Sequence, residues 1–184
     1  MDILPVELIT LIACDNFEMF ITLLRVNTIG NRLCEWYPQQ YAKEKFIRIM
    51  HDNTMRTYLN GKLHSFNDLP AVEYTNGGKS WYWHGLLHRS GDLPAFSSIQ
   101  GVDQWWQRGK LHRKDRPAII YDNGDTRWYW NNECHRENDL PAVEYASGSK
   151  YWYWNGKKHR ENDQPAVIYS NGCREYWIHG VKQN

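Results

Sequence analysis

Histidine and arginine stand side by side four times in this chain, at His88-Arg89, His112-Arg113, His135-Arg136 and His159-Arg160, with a lone His64 ahead of them. Each histidine is followed within four residues by an aspartate, at 68, 92, 115, 139 and 163. Imidazole beside carboxylate could serve as a general base or hold a metal, and a column of guanidinium groups could receive an anion. A metal needs ligands that converge within about 2 to 2.3 Å of one ion. One histidine per repeat gives instead a row spaced by successive strands. A general base needs a nucleophile or acid and a pocket, and no G-x-S-x-G, H-E-x-x-H or phosphate-loop pattern occurs. No metal, no cofactor and no enzymatic activity are therefore expected.

What the spacing does establish is a repeat. The histidines step by 24, 24, 23 and 24 residues, and prolines at 70, 94, 117, 141 and 165 keep nearly the same rhythm. Five units and part of a sixth are present, each built on H-R-x-x-D-x-P-A followed by an aromatic run such as WYWNGKKH. This accounts for 10 Trp and 12 Tyr against 5 Phe in 184 residues. A unique active site is not copied in this way.

Aromatic and β-branched runs separated by Asn76-Gly77, Asn123-Gly124 and Asn171-Gly172 read as strand, tight turn, strand. Side chains alternate along a strand, so Trp152 and Trp154 share one face and Tyr153 takes the other. Stacked hairpins would align Trp81, Trp105, Trp128 and Trp152 in one row and Trp83, Trp130 and Trp154 in a second. Both rows are expected to be consumed by internal packing. The partner-binding face is then expected on the tyrosines, Tyr82, Tyr129 and Tyr153, and on the columns of Arg89, Arg113, Arg136 and Arg160. Two spots interrupt the pattern: Phe96-Ser97-Ser98, and Gln107 where other units have Trp. A bend, a gap or a contact surface is expected there.

The stretch Trp154-Asn155-Gly156-Lys157-Lys158-His159 resembles the MORN repeat family, and Trp83-His84-Gly85 and Trp130-Asn131-Asn132 match in place. The resemblance covers about residues 56 to 184 and departs in the Arg and the D-x-P-A that follow each His. That variant is similar to repeat arrays encoded by large DNA viruses of amoebae. It implies a mainly β fold, an elongated single-layer antiparallel sheet of consecutive hairpins over residues 51–184. It also implies a role in holding proteins together, sometimes as homodimers. The last hairpin has no successor here, so self-association is expected along the edge near Tyr169, Tyr176, Trp177 and Ile178.

Residues 1–50 differ in kind. Leu4, Leu8, Leu11 and Ile12, then Phe17, Phe20, Ile21 and Leu24, fall at helical spacings, and a third helix is expected from about Pro38 to Met50. The L-P-x-E-L at Leu4 to Leu8, with Leu23 to Asn27, resembles the opening and middle of an F-box. That likeness implies docking on a Skp-type adaptor of cullin-RING ubiquitin ligases through Leu4, Pro5, Leu8 and Ile12. A helical cap on the first apolar edge of the array is the structural alternative.

The remaining totals exclude more than they assign. Formal net charge is +1, without the one-sided basic footprint of a nucleic-acid binder. Cys14, Cys34, Cys134 and Cys173 form no C-x-x-C pair and no dense framework, which fits an intracellular, reducing compartment. Membrane binding is not expected. The function expected is a non-enzymatic protein–protein scaffold, with an acidic lipid or another anionic ligand on the His-Arg columns as the alternative.

Overall fold

The computed structural model describes residues 34–36 and 46–183. Every regular element among them is a β-strand, and all pairings are antiparallel. Each full repeat contributes two hairpins rather than one. The first, for example Val72–Glu73 with Lys79–Ser80, joins a 14-stranded sheet that runs through all the repeats. The second, for example Tyr82–Trp83 with Leu86–Leu87, forms a two-stranded ladder of its own, and five such side hairpins occur. The long hairpin sheet expected from the repeat is therefore present, but only half of each unit enters it.

The division falls at the first tryptophan of each aromatic run. Lys79–Ser80 pairs within the sheet, Tyr82–Trp83 pairs in the side hairpin, and Trp81 lies between them. Its backbone N–H still donates to Ala95 O at 2.7 Å, and Trp105, Trp128 and Trp152 donate likewise to Ala118, Ala142 and Ala166. Those alanines and Ala71 have no exposed surface at all. A larger side chain there would meet packed backbone.

The two turns of a unit need different chemistry. Sheet hairpins close through one left-handed residue, such as Gly77 at φ 83° or Gly124 at φ 90°, after a turn in which the Asn side chain accepts from the backbone two residues on. Side hairpins close through two consecutive left-handed residues, as in Asn155-Gly156. That is the two-residue turn matching strand twist, and Asn-Gly suits it.

By register, Val72, Ser80, Phe96, Gln104, Ile119, Arg127, Val143, Tyr151 and Val167 share one face of the sheet. The valines and Ile119 on this face are buried. Side hairpins supply their cover: Leu111, Trp106 and Tyr129 pack with Ala118 and Ile119. The opposite sheet face is largely polar, with Glu73 opposite Lys79 and Glu144 opposite Lys150, and with Met55, Ile120 and Ile168 as apolar members.

Two expectations are corrected. Phe46–His51 is a strand, paired residue by residue with Thr54–Leu59, where a helix was expected to run to Met50. F-I-R-I-M-H carries two β-branched residues, Ile47 and Ile49, and Asp52-Asn53, both left-handed, close the hairpin. The sheet thus begins upstream of residue 51, with Cys34–Trp36 on the outer side of Phe46–His51. The rest of the expected helical segment, including Leu4, Pro5, Leu8 and Ile12, lies outside the described residues. The second correction concerns the tryptophans. Trp81, Trp105 and Trp152 are 6 to 8 % exposed and Trp128 is half-buried, whereas Trp83, Trp130 and Trp154 are 45 to 50 % exposed. The second row is surface.

These burials separate two neighbouring substitutions. Trp152→Ala should lower unfolding free energy by about 3 to 5 kcal/mol, the loss for a buried large aromatic. Trp154→Ala should cost about 1 kcal/mol, the worth of one ring pair. Chemical denaturation of the two variants against the parent chain measures both, and equal losses would contradict the division of rows.

Candidate functional site

The residues singled out for chemistry meet in a clamp that recurs along the array. The Arg89 guanidinium lies 3.7 Å from the Trp81 ring centre. It donates through Nε and NH2 to both carboxylate oxygens of Asp68 in the preceding unit at 2.7 Å, and through NH1 to Pro94 O at 3.2 Å. The Trp81 indole N–H donates to Asp68 O at 2.8 Å. Arg113 repeats this on Trp105, Asp92 and Pro117, and Arg160 on Trp152, Asp139 and Pro165. One side chain thereby roofs an indole and joins two units. The carboxyls of Asp68, Asp92 and Asp139 are held below their ordinary value, chiefly by the hydrogen bonds from these arginines.

The third connection breaks the pattern for a visible reason. His112 to Pro117 is one residue shorter than the other His-to-Pro segments, the 23 in the repeat spacing. Two consecutive left-handed residues, such as Asn138-Asp139, turn the full-length connections, whereas only Asp115 is left-handed here. Arg136 still covers Trp128 at 3.7 Å and donates to Pro141 O, but its nearest carboxylate is Glu144, 3.6 Å away in its own unit. No carbonyl among the described residues accepts from the Trp128 indole.

The histidines form a second joint, between side hairpins. Gly85 N donates to Leu63 O at 2.8 Å, and four later units repeat that bond. Beside it, His64 Nδ1 accepts from His84 N, His112 Nδ1 from Asn131 N, His135 Nδ1 from Asn155 N and His159 Nδ1 from His179 N, at 3.2 to 3.3 Å. An Nδ1 that accepts carries no proton, so these bonds require neutral imidazole. The same rings back the exposed tryptophans, with centroids 4.6 Å apart for His64 and Trp83, 4.4 Å for His112 and Trp130, and 4.5 Å for His135 and Trp154. Where Gln107 replaces Trp, His88 lacks a tryptophan ring beside it and its buried Nδ1 has no partner among the described residues.

The expected partner-binding residues divide between opposite sides of the chain. Tyr82, Tyr129 and Tyr153 are half-buried on the inner side of the side hairpins, where burial raises their hydroxyl pKa values, to about 12 for Tyr153. The arginines lie on the other side, with only 8 to 23 % of their side-chain surface exposed. Cys134 lines the tyrosine side, and burial pushes its thiol up to about 12, far from a nucleophilic thiolate. Tyr169 is half-buried with its ring 5.8 Å from that of Tyr151. Trp177 donates to Glu175, while Tyr176 and Ile178 are exposed on the last described units. What alternation alone missed is the row of Trp83, Trp130 and Trp154. The deciding signal was the H-R-x-x-D-x-P-A connection, which must return from side hairpin to sheet and crosses the first row of indoles.

Two measurements follow from this geometry. Inserting Asn between Lys114 and Asp115 restores the missing turn residue and should raise stability by about 1 to 2 kcal/mol through the recovered fork and indole bond. An unchanged denaturation midpoint would count against the clamp. The second is a pH profile. Burial, with His84 as the smaller cause, lowers the His64 pKa from 6.5 to about 4. A histidine depressed in the folded state protonates more readily when unfolded, so its contribution is complete above pH 6.5 and is lost as pH falls towards 4. The loss should be on the order of 3 kcal/mol over that window, before the clamped aspartates add theirs below it. His64→Asn keeps an acceptor without the titration and should flatten that window in stability measured from pH 7 to pH 4.

Compared with family descriptions, curated proteins and solved structures, the chain matches none.

Proposed function

We propose that the chain is a non-enzymatic interaction array of MORN-like hairpin repeats that gathers protein partners, with residues 4–12 offering an F-box-like contact to a Skp-type adaptor. The observation that carries this reading is how the polar groups of the repeat are used. Arginine, aspartate and the first tryptophan bind unit to unit, and histidine binds side hairpin to side hairpin. A periodic aromatic surface remains on an extended body. Large exposed aromatics are the residues most enriched at protein-binding hot spots. The alternative ligand, acidic lipid or another anion on the arginine column, draws less support, since the forks of Arg89, Arg113 and Arg160 already hold carboxylates.

Affinity capture from a eukaryotic lysate tests the reading. The intact chain should retain specific proteins, and Leu8→Arg should release a Skp-type adaptor while the others stay bound. Substitution is preferable to removing residues 1–50, because Phe46–His51 pairs along the whole of Thr54–Leu59. A chain that recovers nothing above the bare matrix, yet floats with acidic liposomes in a salt-sensitive manner, would replace this reading by the lipid one.

A further inference from the structure

The exposed indoles have three properties in common. Each is backed by the histidine that directly follows the preceding side hairpin, so its ring is held rather than loose. Each presents nearly half its surface to solvent. None of the three indole N–H groups has an acceptor among the described residues, whereas Trp81, Trp105, Trp106, Trp152 and Trp177 all donate theirs. A fixed aromatic plane with a free donor at its rim suits a ligand that stacks and offers carbonyls.

Spacing selects the ligand. One unit adds two strands, so successive side hairpins stand about 9.4 to 9.8 Å apart. A polyproline II helix rises about 3.1 Å per residue with three residues per turn, so the same side recurs every 9.3 Å or so. Over the three steps from Trp154 to Trp83 the mismatch is about 1 Å. A heptad-spaced α-helix repeats at about 10.5 Å and drifts roughly 3 Å over the same span. An extended strand repeats a face at about 6.8 Å and does not match. Polyproline II also leaves its carbonyls free, which the unpaired indole donors can use.

Charge adds a second selection. Across the first four side hairpins the residue opposite the aromatic position is Leu86, Lys110, Glu133 or Lys157, with Val181 in the fifth, and Lys62 occupies the same place in the unit before them. Three lysines against one glutamate border the row, and all four are exposed.

We infer that the outer face of the side hairpins, Trp83, Trp130 and Trp154 with the gap at Gln107, docks an acidic proline-rich segment in the polyproline II conformation. Prolines at every third position sit on the indoles, and carboxylates between them face Lys110 and Lys157. This rests on the interaction-array reading and names the class of partner.

A peptide of four Pro-Pro-Glu triplets, titrated into the full chain and followed by tryptophan fluorescence and calorimetry, tests it. Saturable binding is expected, weakened roughly 30-fold or more by combining Trp130→Ala with Trp154→Ala, the size of a hot-spot loss. Circular dichroism of that variant checks that the array still folds. Gln107→Trp fills the gap in the row and should tighten binding several-fold, a result that loss of structure cannot mimic. The inference is overturned by the absence of saturation up to about 1 mM peptide. It is equally overturned if the same peptide with Ala for Pro binds as well, if a helical peptide with Leu at every seventh residue binds better, or if the double variant binds normally. A double variant that captures fewer protein partners while the intact chain ignores the peptide would remove the proline-rich partner and leave the interaction array standing. Loss of both would remove the array reading as well.

Discussion

An indole on a two-stranded hairpin has nothing within that hairpin to cover it, and the rest of the array follows from how that cover is supplied. A ring of this size buries about 150 to 250 Å², worth several kcal/mol gross, only if something lies across its face. Here the cover is the arginine eight residues further on, its guanidinium over the ring at 3.7 to 4.0 Å and pinned at its far end by the aspartate of the preceding unit. The ion pair alone would contribute little, since the carboxylates are more than half exposed. Its importance is positional: a two-pronged fork with the indole beneath it admits one register between neighbouring units, whereas apolar contact alone tolerates sliding.

That clamp also explains why each unit splits into two hairpins. The connection carrying Arg, Asp and Pro-Ala must leave the side hairpin, cross the indole and return to the sheet. By doing so it covers one side of the bend at Trp81, Trp105 and Trp152. The tyrosines on the other side turn inward over the valine face of the sheet, where Tyr129, Trp106 and Leu111 meet Ile119. The result is a core built without helices among the described residues, in which each unit depends on its neighbours for cover.

Much of this was legible in the residues. The period, the hairpins, the antiparallel pairing and the alternation of Trp and Tyr all follow from spacing and turn composition. The burial of one tryptophan row and the exposure of the other were not legible, because Trp152 and Trp154 have the same parity and only the path of the connection distinguishes them. F-I-R-I-M-H was misread because Phe46, Ile47, Ile49 and Met50 fall at helical spacings, while the pairing with Thr54–Leu59 that makes the segment a strand is set by the hairpin and not by its own pattern. The diverted Arg136 shows the opposite case. The missing residue is plain in the sequence, but its consequence can be drawn only once the fork is known.

Comparison of the units with one another separates cohesion from recognition. Wherever an arginine follows eight residues on, the clamped position is a tryptophan, Trp81, Trp105, Trp128 and Trp152, while Tyr176 stands there in the last unit; the alanine beneath the ladder is unchanged in five units with no exposed surface. Two residues beyond the clamped tryptophan the side chain is Trp83, then Gln107, then Trp130 and Trp154, then Ile178. A position that assembly demanded could not accept glutamine without a local failure, and beside Gln107 the ladder and side hairpin are intact, with His88 Nδ1 left without a partner among the described residues. The outer face can therefore differ from unit to unit while the array stays intact. Such freedom suits a surface that reads a ligand, where the order of aromatic and polar sites along the row decides what fits.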